Sequence, residues 1–365
     1  MIKVIVMGTD PSSNLGGVSF ALRGYLAALK KADFPFDMIP THRYRESGGK
    51  YRPWLAAMPR VVHLIRLAKH EGNVPIVYCH AGAAPSLFRK AILLVLCKFL
   101  GAKTVLQLHA IEVNGYLRKT WTRALFKLGI ASVDLLCVLS PWWKQKLKAY
   151  GISTPIAVIP NPMHVDLEKR ARIRPSIIDR KQGDILLICS ISRFEKGKGL
   201  DIAIESMRFL PAQVHLMIGG SGSQEKQLRE LVDRLGLQHR VFFLGWLNEK
   251  EKQELMDKSD VFCLPSSYDS FGMGFMEAMA HGLPVVALNY GSISDVVPDG
   301  RAGILVKEKN PRSIANAIKM MMNKKNIREE MSMAGQQWVL SEFSAEKVGR
   351  SLREAFETMV TGRNR

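Results

Sequence analysis

The chain has 365 residues, 47 % apolar and 23 % charged, which fits a soluble globular protein of about two domains and excludes a disordered one. Its formal net charge is +19, unevenly placed: residues 1–170 hold 24 Lys and Arg against 9 Asp and Glu, and residues 171–365 hold 28 against 24. A field of that sign attracts nucleic acid, anionic lipid or a phosphorylated substrate.

The N-terminal MIKVIVMGTD reads as a short strand and not a signal peptide. Apolar strands are predicted at 2–8, 76–80, 104–110, 135–140 and 156–160, then at 185–192, 214–220, 241–245, 261–266 and 284–288. Amphipathic helical stretches separate them, among them 17–31, 59–70 and 224–236. Continuous apolar strands alternating with helices predict parallel sheets covered on both faces, an α/β class of two doubly wound domains. The basic stretch 166–184 reads as the linker. The expected domains are therefore 1–165 and 166–343, with a terminal helix over 344–365 that crosses back to brace the first. The longest apolar helical run, 91–102, is interrupted by Lys98 and falls short of the roughly 20 residues a spanning helix needs. Cys79, Cys97, Cys137, Cys189 and Cys263 form no C-x-x-C pair, so buried reduced thiols in a cytosolic protein are expected, without a disulfide or a metal site.

Four strand ends carry candidate chemistry. After the first strand, Gly16 and Gly17 open a helix; they suit either a phosphate approach or a simple tight turn, and lack the G-x-G-x-x-G spacing of a dinucleotide site. In SRFEKGKGLD (192–201), Arg193 and Lys198 flank a glycine-containing turn as a pyrophosphate clamp or a solvated basic loop. In PSSYDSFGMGFMEAMAHGLPVV (265–286), Asp269 and Glu277 bracket a glycine turn with seven residues between them. The amides of Gly272, Met273, Gly274 and Phe275 are expected free for a phosphate at this helix start. Glu277 stands among apolar neighbours, and a buried lone acid needs a partner, for which a ligand is a candidate. His109 ends TVLQLHA and His80 ends IVYCH; each could poise a sugar hydroxyl or serve a structural role.

Together these segments, with NLGGVS, VIPNPMHVD (158–166), IGGSGSQEKQL (218–228) and VFFLGWL (241–247), resemble the family 4 glycosyltransferases of the GT-B fold, of the bacterial cell-surface polysaccharide type. The resemblance covers nearly the whole chain. It implies two Rossmann-like domains facing across a cleft, and transfer of a sugar from a nucleotide-diphosphate donor with retention of configuration. It implies no bound metal and no cofactor beyond the donor substrate. By position it implies that Glu277 holds the donor ribose, Asp269 lies beside the transferred sugar, and Arg193 and Lys198 stabilise the leaving diphosphate. Gly16 and Gly17 would reach that diphosphate from the first domain, and His109 would lie on the acceptor side. Three positions depart from the family pattern: Asp269 and Asp295 stand where Glu is usual, and Asn161-Pro162 where Asn-Gly is usual.

In this fold the basic first half receives the acceptor. Segment 58–70 places Met58, Val61, Leu64, Ile65 and Ala68 on one helical face with cations mostly away from it, and 89–103 and 116–129 add cations beside Trp121, Leu125 and Phe126. A basic amphipathic surface of this kind reads as contact with an anionic membrane surface. The expectation is a cytoplasmic enzyme, peripheral on the inner face of the membrane, acting on a glycan or polyprenyl-diphosphate-linked acceptor. A sugar-nucleotide epimerase or hydrolase of the same fold is one alternative, and a non-catalytic basic binding protein is another. Nucleic acid is not an expected partner: no recognised module supports it, and Asp269 and Glu277 would repel phosphodiesters.

Overall fold

The computed structural model describes residues 1–11, 17–42, 52–82, 84–109, 113–173 and 186–362. Its elements alternate strand and helix. The first half runs β1 (Ile2–Thr9), α1 (Gly17–Lys31), β2 (Phe36–His42), α2 (Arg52–His70), β3 (Val74–Ala81), α3 (Ala84–Phe99), β4 (Lys103–Leu108), α4 (Val113–Arg118), α5 (Thr120–Ile130), β5 (Leu135–Val138), α6 (Pro141–Ala149) and β6 (Ile156–Val158). The second runs α7 (Val165–Ala171), β7 (Leu186–Ile191), α8 (Leu200–Ser206), β8 (Val214–Gly219), α9 (Glu225–Arg234), β9 (Val241–Gly245), α10 (Glu249–Lys258), β10 (Val261–Leu264), α11 (Met273–Ala280), β11 (Val285–Leu288), α12 (Ile293–Val296) and β12 (Gly303–Val306). The helices α13 (Pro311–Asn323), α14 (Lys325–Phe343) and α15 (Ala345–Thr361) follow.

The chain forms two compact units, Met1–Val165 with Phe343–Arg365, and Asp166–Glu342. Each holds a six-stranded parallel sheet, ordered β2-β1-β3-β4-β5-β6 in the first and β12-β11-β10-β7-β8-β9 in the second. The strand interiors are apolar on both faces: Val4 to Met7, Ile76 to Cys79 and Val261 to Cys263 are all buried, as a sheet covered by helices requires. Strand order reverses between β1 and β3 in the first unit and between β7 and β10 in the second. At such a reversal the connections leave in opposite directions, which opens a crevice beyond the carboxyl ends of the strands.

Two strands lie outside the ten predicted ones, β2 and β12, and both are edge strands. The expected linker 166–184 begins as helix: α7 is tied down by Arg170, whose Nε donates to Asp257 at 3.0 Å, while 174–185 lie outside the described residues. Segment 116–129 spans parts of two helices, with extended backbone at Lys119 between α4 and α5. The apolar face of α2 is not available to a membrane, because Val61, Ile65 and Ala68 are buried in the core. Helix α15 buries Val348, Leu352 and Phe356 in the core of the first unit, where Gly349 lets it close on α1: a Cβ there would stand 2.6 Å from the Ala28 carbonyl oxygen. All five cysteines are buried, and burial pushes the Cys79, Cys97, Cys189 and Cys263 thiols up to about 12. Among the described residues no helix is long and apolar enough to cross a membrane.

Candidate active site

In the second unit the strand-order reversal brings together residues far apart in sequence. The loop after β7 is held by Phe194, fully buried, whose N–H donates to the Ser221 carbonyl at 2.9 Å and whose carbonyl accepts from Gln224 at 2.9 Å. Gly199 closes that loop against the end of β10. Its φ is +75°, and a Cβ would lie 2.0 Å from the Pro265 carbonyl oxygen, so no other residue fits. The Ser267 amide then donates to the Gly197 carbonyl at 2.8 Å. These contacts aim Lys198 at the loop after β10, where its Nζ lies 2.7 Å from Asp269 Oδ1. Both side chains are largely buried, 12 % and 15 % exposed. Asp269 Oδ2 is buried too and has no hydrogen-bond partner among the described residues. A buried carboxylate oxygen without a donor is costly unless something else supplies one. Arg193, at the start of the same loop, is exposed.

Helix α11 starts directly after this pair. Gly272 has φ +90° and ψ 58°, and a Cβ there would lie 2.4 Å from the Phe275 ring, so the sharp entry into the helix requires glycine. The Phe275 amide, expected free, donates instead to the Gly272 carbonyl at 3.0 Å. Met273 and Gly274 keep the first-turn amides that have no acceptor within the helix.

Glu277, one turn further on, has a protein partner that sequence reasoning missed. Its Oε2 lies 3.0 Å from Lys252 Nζ, which also lies 3.1 Å from Glu249. Lys252 and Glu277 are each 14 % exposed. Lys252 is positioned by the first turn of α10, where Asn248 and Glu251 form a reciprocal capping box. Burial lowers the Lys252 pKa, but the Glu277 and Glu249 carboxylates more than reverse this, and it ends above its ordinary value. The only hint in the sequence was the Glu249–Lys252 spacing on a helix so charged that every side chain looked solvated.

In the first unit Gly16 lies outside the described residues, and Gly17 is the first residue of α1. His80 ends β3, at the strand-order reversal, and His109 follows β4 with its amide donating to Ala81 at 2.9 Å. Their rings stack, with His80 Nδ1 3.0 Å from His109 Nε2, so one nitrogen donates and the other accepts. Tyr25 packs over both rings and donates to Asn161 Oδ1 at 3.3 Å. His80 Nε2 is buried without a partner among the described residues. Lys90 of α3, also buried, donates to the His80 carbonyl.

Burial pushes the His109 imidazole down to about 3, the Lys90 ammonium adding to the shift and a hydrogen bond with Asn161 opposing it. Burial, then His109 and Lys90, also hold His80 well below its ordinary value. Folded, both are neutral; unfolded, each takes up a proton near 6.5. The stability they carry is present above about 6.5 and is lost as pH falls toward 3, by up to about 1.4 kcal/mol per pH unit per histidine. Hydrogen exchange is expected to show β3 and β4 opening more readily between pH 6.5 and 4.5 after correction for intrinsic rates. His109→Gln should flatten that dependence; an unchanged slope in the variant would count against the assignment.

Two family models match the chain: that of glycosyltransferase family 4 over residues 18–167, and that of glycosyl transferases group 1 over residues 176–338. An uncharacterized glycosyltransferase of Methanocaldococcus jannaschii is 31 % identical over 196 residues, 52 % of this chain and 50 % of the relative. The amylovoran biosynthesis glycosyltransferase AmsK of Erwinia amylovora is 29 % identical over 243 residues, 63 % of this chain and 58 % of the relative. The chain thus spans about half the length of these curated relatives. Among solved structures, Anabaena HepE in complex with UDP is similar with a TM-score of 0.73 at 19 % identity, covering 98 % of this chain and all of that one. That likeness establishes the fold as GT-B.

Proposed function

The chain belongs to the glycosyltransferases of family 4 and group 1, and on that premise we propose that it transfers a sugar from a nucleotide-diphosphate donor to a glycan acceptor in cell-surface polysaccharide biosynthesis. The observation that carries the reading is the Lys198–Asp269 pair at the strand-order reversal of the second unit, with Asp269 Oδ2 buried and without a hydrogen-bond partner among the described residues. The AmsK relative supports the polysaccharide class, and the UDP held by HepE supports a nucleotide donor.

In this reading the donor diphosphate takes the amides of Met273 and Gly274, with Gly272 giving the backbone close approach and Phe275 fixing the turn. Arg193 and Lys198 offset the charge that develops on the leaving group, so the step draws on protein cations and dipoles and needs no metal. Glu277 accepts from the ribose hydroxyls through the oxygen not turned to Lys252. Asp269 Oδ2 accepts from a hydroxyl of the transferred sugar. His109, neutral, is the acceptor-side residue. Transfer proceeds with retention of configuration. The acceptor is lipid-linked, and the enzyme works peripherally on the cytoplasmic face of an anionic membrane.

A thermal-shift panel of UDP-glucose, UDP-N-acetylglucosamine and GDP-mannose tests the donor site. At about 100 times its dissociation constant, the true donor should stabilise the second unit by about 2.7 kcal/mol. Glu277→Ala should abolish that shift. A ligand that stabilises wild type and variant equally is bound elsewhere and overturns the assignment.

A further inference from the structure

We propose that the exposed faces of α3 and α5 insert into an anionic lipid bilayer and hold the first unit to it. This deepens the proposed function, on which it rests for its purpose, the delivery of a lipid-linked acceptor; its evidence is independent of the donor site.

The two helices present the same pattern to solvent. On α3 the exposed apolar residues are Ile92, Leu96 and Phe99, and on α5 they are Trp121, Leu125 and Leu128, in each case spaced i, i+4, i+7. That spacing places each trio along one stripe of its helix. Phe99, Leu128 and Trp121 are 86 %, 74 % and 64 % exposed. The helices are neighbours: a Cβ on Gly129 of α5 would meet Ala91 of α3 at 3.8 Å. Their other faces already supply the core, through Leu94 and Cys97 on α3 and Phe126 and Ile130 on α5. The stripes are therefore apolar surface beyond what folding uses. Single exposed apolar residues are ordinary, but two matched stripes on adjacent helices are not. The sequence expectation spread the membrane face over 58–70, 89–103 and 116–129; among the described side chains of α2, Leu55 and Leu67 are exposed far apart from one another while Val61, Ile65 and Ala68 are buried.

Charge selects the occupant. From residue 81 to residue 134 the sequence holds eight Lys and Arg against Glu112 and Asp134; Lys98 pairs with Asp134 at 2.8 Å and Lys90 is buried, so the surface excess is carried by the other six cations. Arg118, Lys119 and Lys127 are exposed on or beside α5. Lys69 reaches from α2 to donate to the Leu100 carbonyl at 3.0 Å, just beyond α3. A second copy seated on this face would bring cation against cation, which is repulsive. An anionic bilayer offers the opposite charge at its surface and hydrocarbon beneath it, and the tryptophan suits the boundary between them.

The test is co-sedimentation of the full chain with vesicles of phosphatidylglycerol and phosphatidylcholine, against phosphatidylcholine alone, at physiological ionic strength. Binding to the anionic vesicles is expected. Phe99→Ser with Leu128→Ser should weaken it by about tenfold or more, while Leu55→Ser with Leu67→Ser leaves it unchanged. Lipid brominated along its acyl chains should quench tryptophan fluorescence in wild type and lose that component in Trp121→Phe, a readout that does not depend on the stability of the serine variants. Equal binding to neutral vesicles, or stripe variants that bind like wild type, would overturn the proposal. So would a wild-type dimer that the stripe variant dissolves. The nucleotide-sugar thermal shift separates this from the donor-site reading: the stripe variant should retain it, and its absence in wild type would bear on the donor assignment alone.

Discussion

Lys198→Ala is expected to lower kcat by about 10²–10³-fold, a loss comparable to removal of one donor from a preorganised charge-stabilising site. The argument rests on where the ammonium lies. It is held 2.7 Å from Asp269 in a largely buried pair, at the end of a loop fixed by Phe194 and Gly199. In the ground state the diphosphate charge is already shared with the nucleotide; in the transition state the terminal phosphate gains more, and Lys198 gains with it. The loss should therefore fall on kcat and leave the donor KM comparatively unchanged. A second effect accompanies the first. Without its ammonium, Asp269 is a buried carboxylate with neither oxygen paired, and stranding one partner of a buried pair costs about 3–5 kcal/mol of stability. Asp269→Asn in the Lys198→Ala background relieves that penalty and should restore much of the melting temperature without restoring kcat. Recovery of kcat in the double variant would mean that Lys198 acts only by holding Asp269.

The parts of the fold legible in the sequence were those with redundant signals. Eight of the ten strands predicted from apolar runs are interior to their sheets, and β6 and β9, at edges, carry the same apolar signal; such runs bounded by turns leave little ambiguity. β2 and β12 escaped notice for physical reasons. The sequence of β2, FDMIPTH, carries an acid and a proline, which an edge strand tolerates because one side of its backbone makes no ladder. β12 has four residues and begins with Gly303, where a Cβ would strike the Val285 carbonyl oxygen. The split between α4 and α5 carried no glycine or proline to mark it.

The same logic sorts the site. Lys198 and Asp269 lie 71 residues apart, and each was visible as a strand-end residue; their contact was not, because it needs β7 and β10 to be neighbours. Lys252 itself was not visible. It sits in EKEKQELMDK, where only burial in the folded chain sets it apart. His80 and His109 were visible as strand-end residues, but not their 3.0 Å contact, which needs β3 and β4 in register. Of the three segments expected at a membrane, 58–70 does not present its apolar face, because an amphipathic pattern reports an apolar side without saying what covers it. On α2 the core covers it; on α3 and α5 the apolar residues exceed what the core takes.

Glu277→Gln is expected to raise the donor KM by about 10–100-fold with a smaller change in kcat, the opposite division from Lys198→Ala. A carboxylate that accepts two ribose hydroxyls makes charge-assisted hydrogen bonds worth about 1.5–3 kcal/mol each, and the ribose is remote from the bond that breaks. Its contribution is therefore to uniform binding. Lys252→Met extends the prediction. The ammonium at 3.0 Å from Oε2 fixes which Glu277 oxygen remains for the donor, in a site only 14 % exposed. With methionine there, the Glu277 carboxylate loses its counter-charge and the contact that orients it, so the donor KM should rise with little change in kcat. Lys252→Arg, which restores the charge, should restore the donor KM. A purely structural role for Lys252 predicts lower stability in Lys252→Met with the donor KM unchanged, and that result would remove it from the donor site.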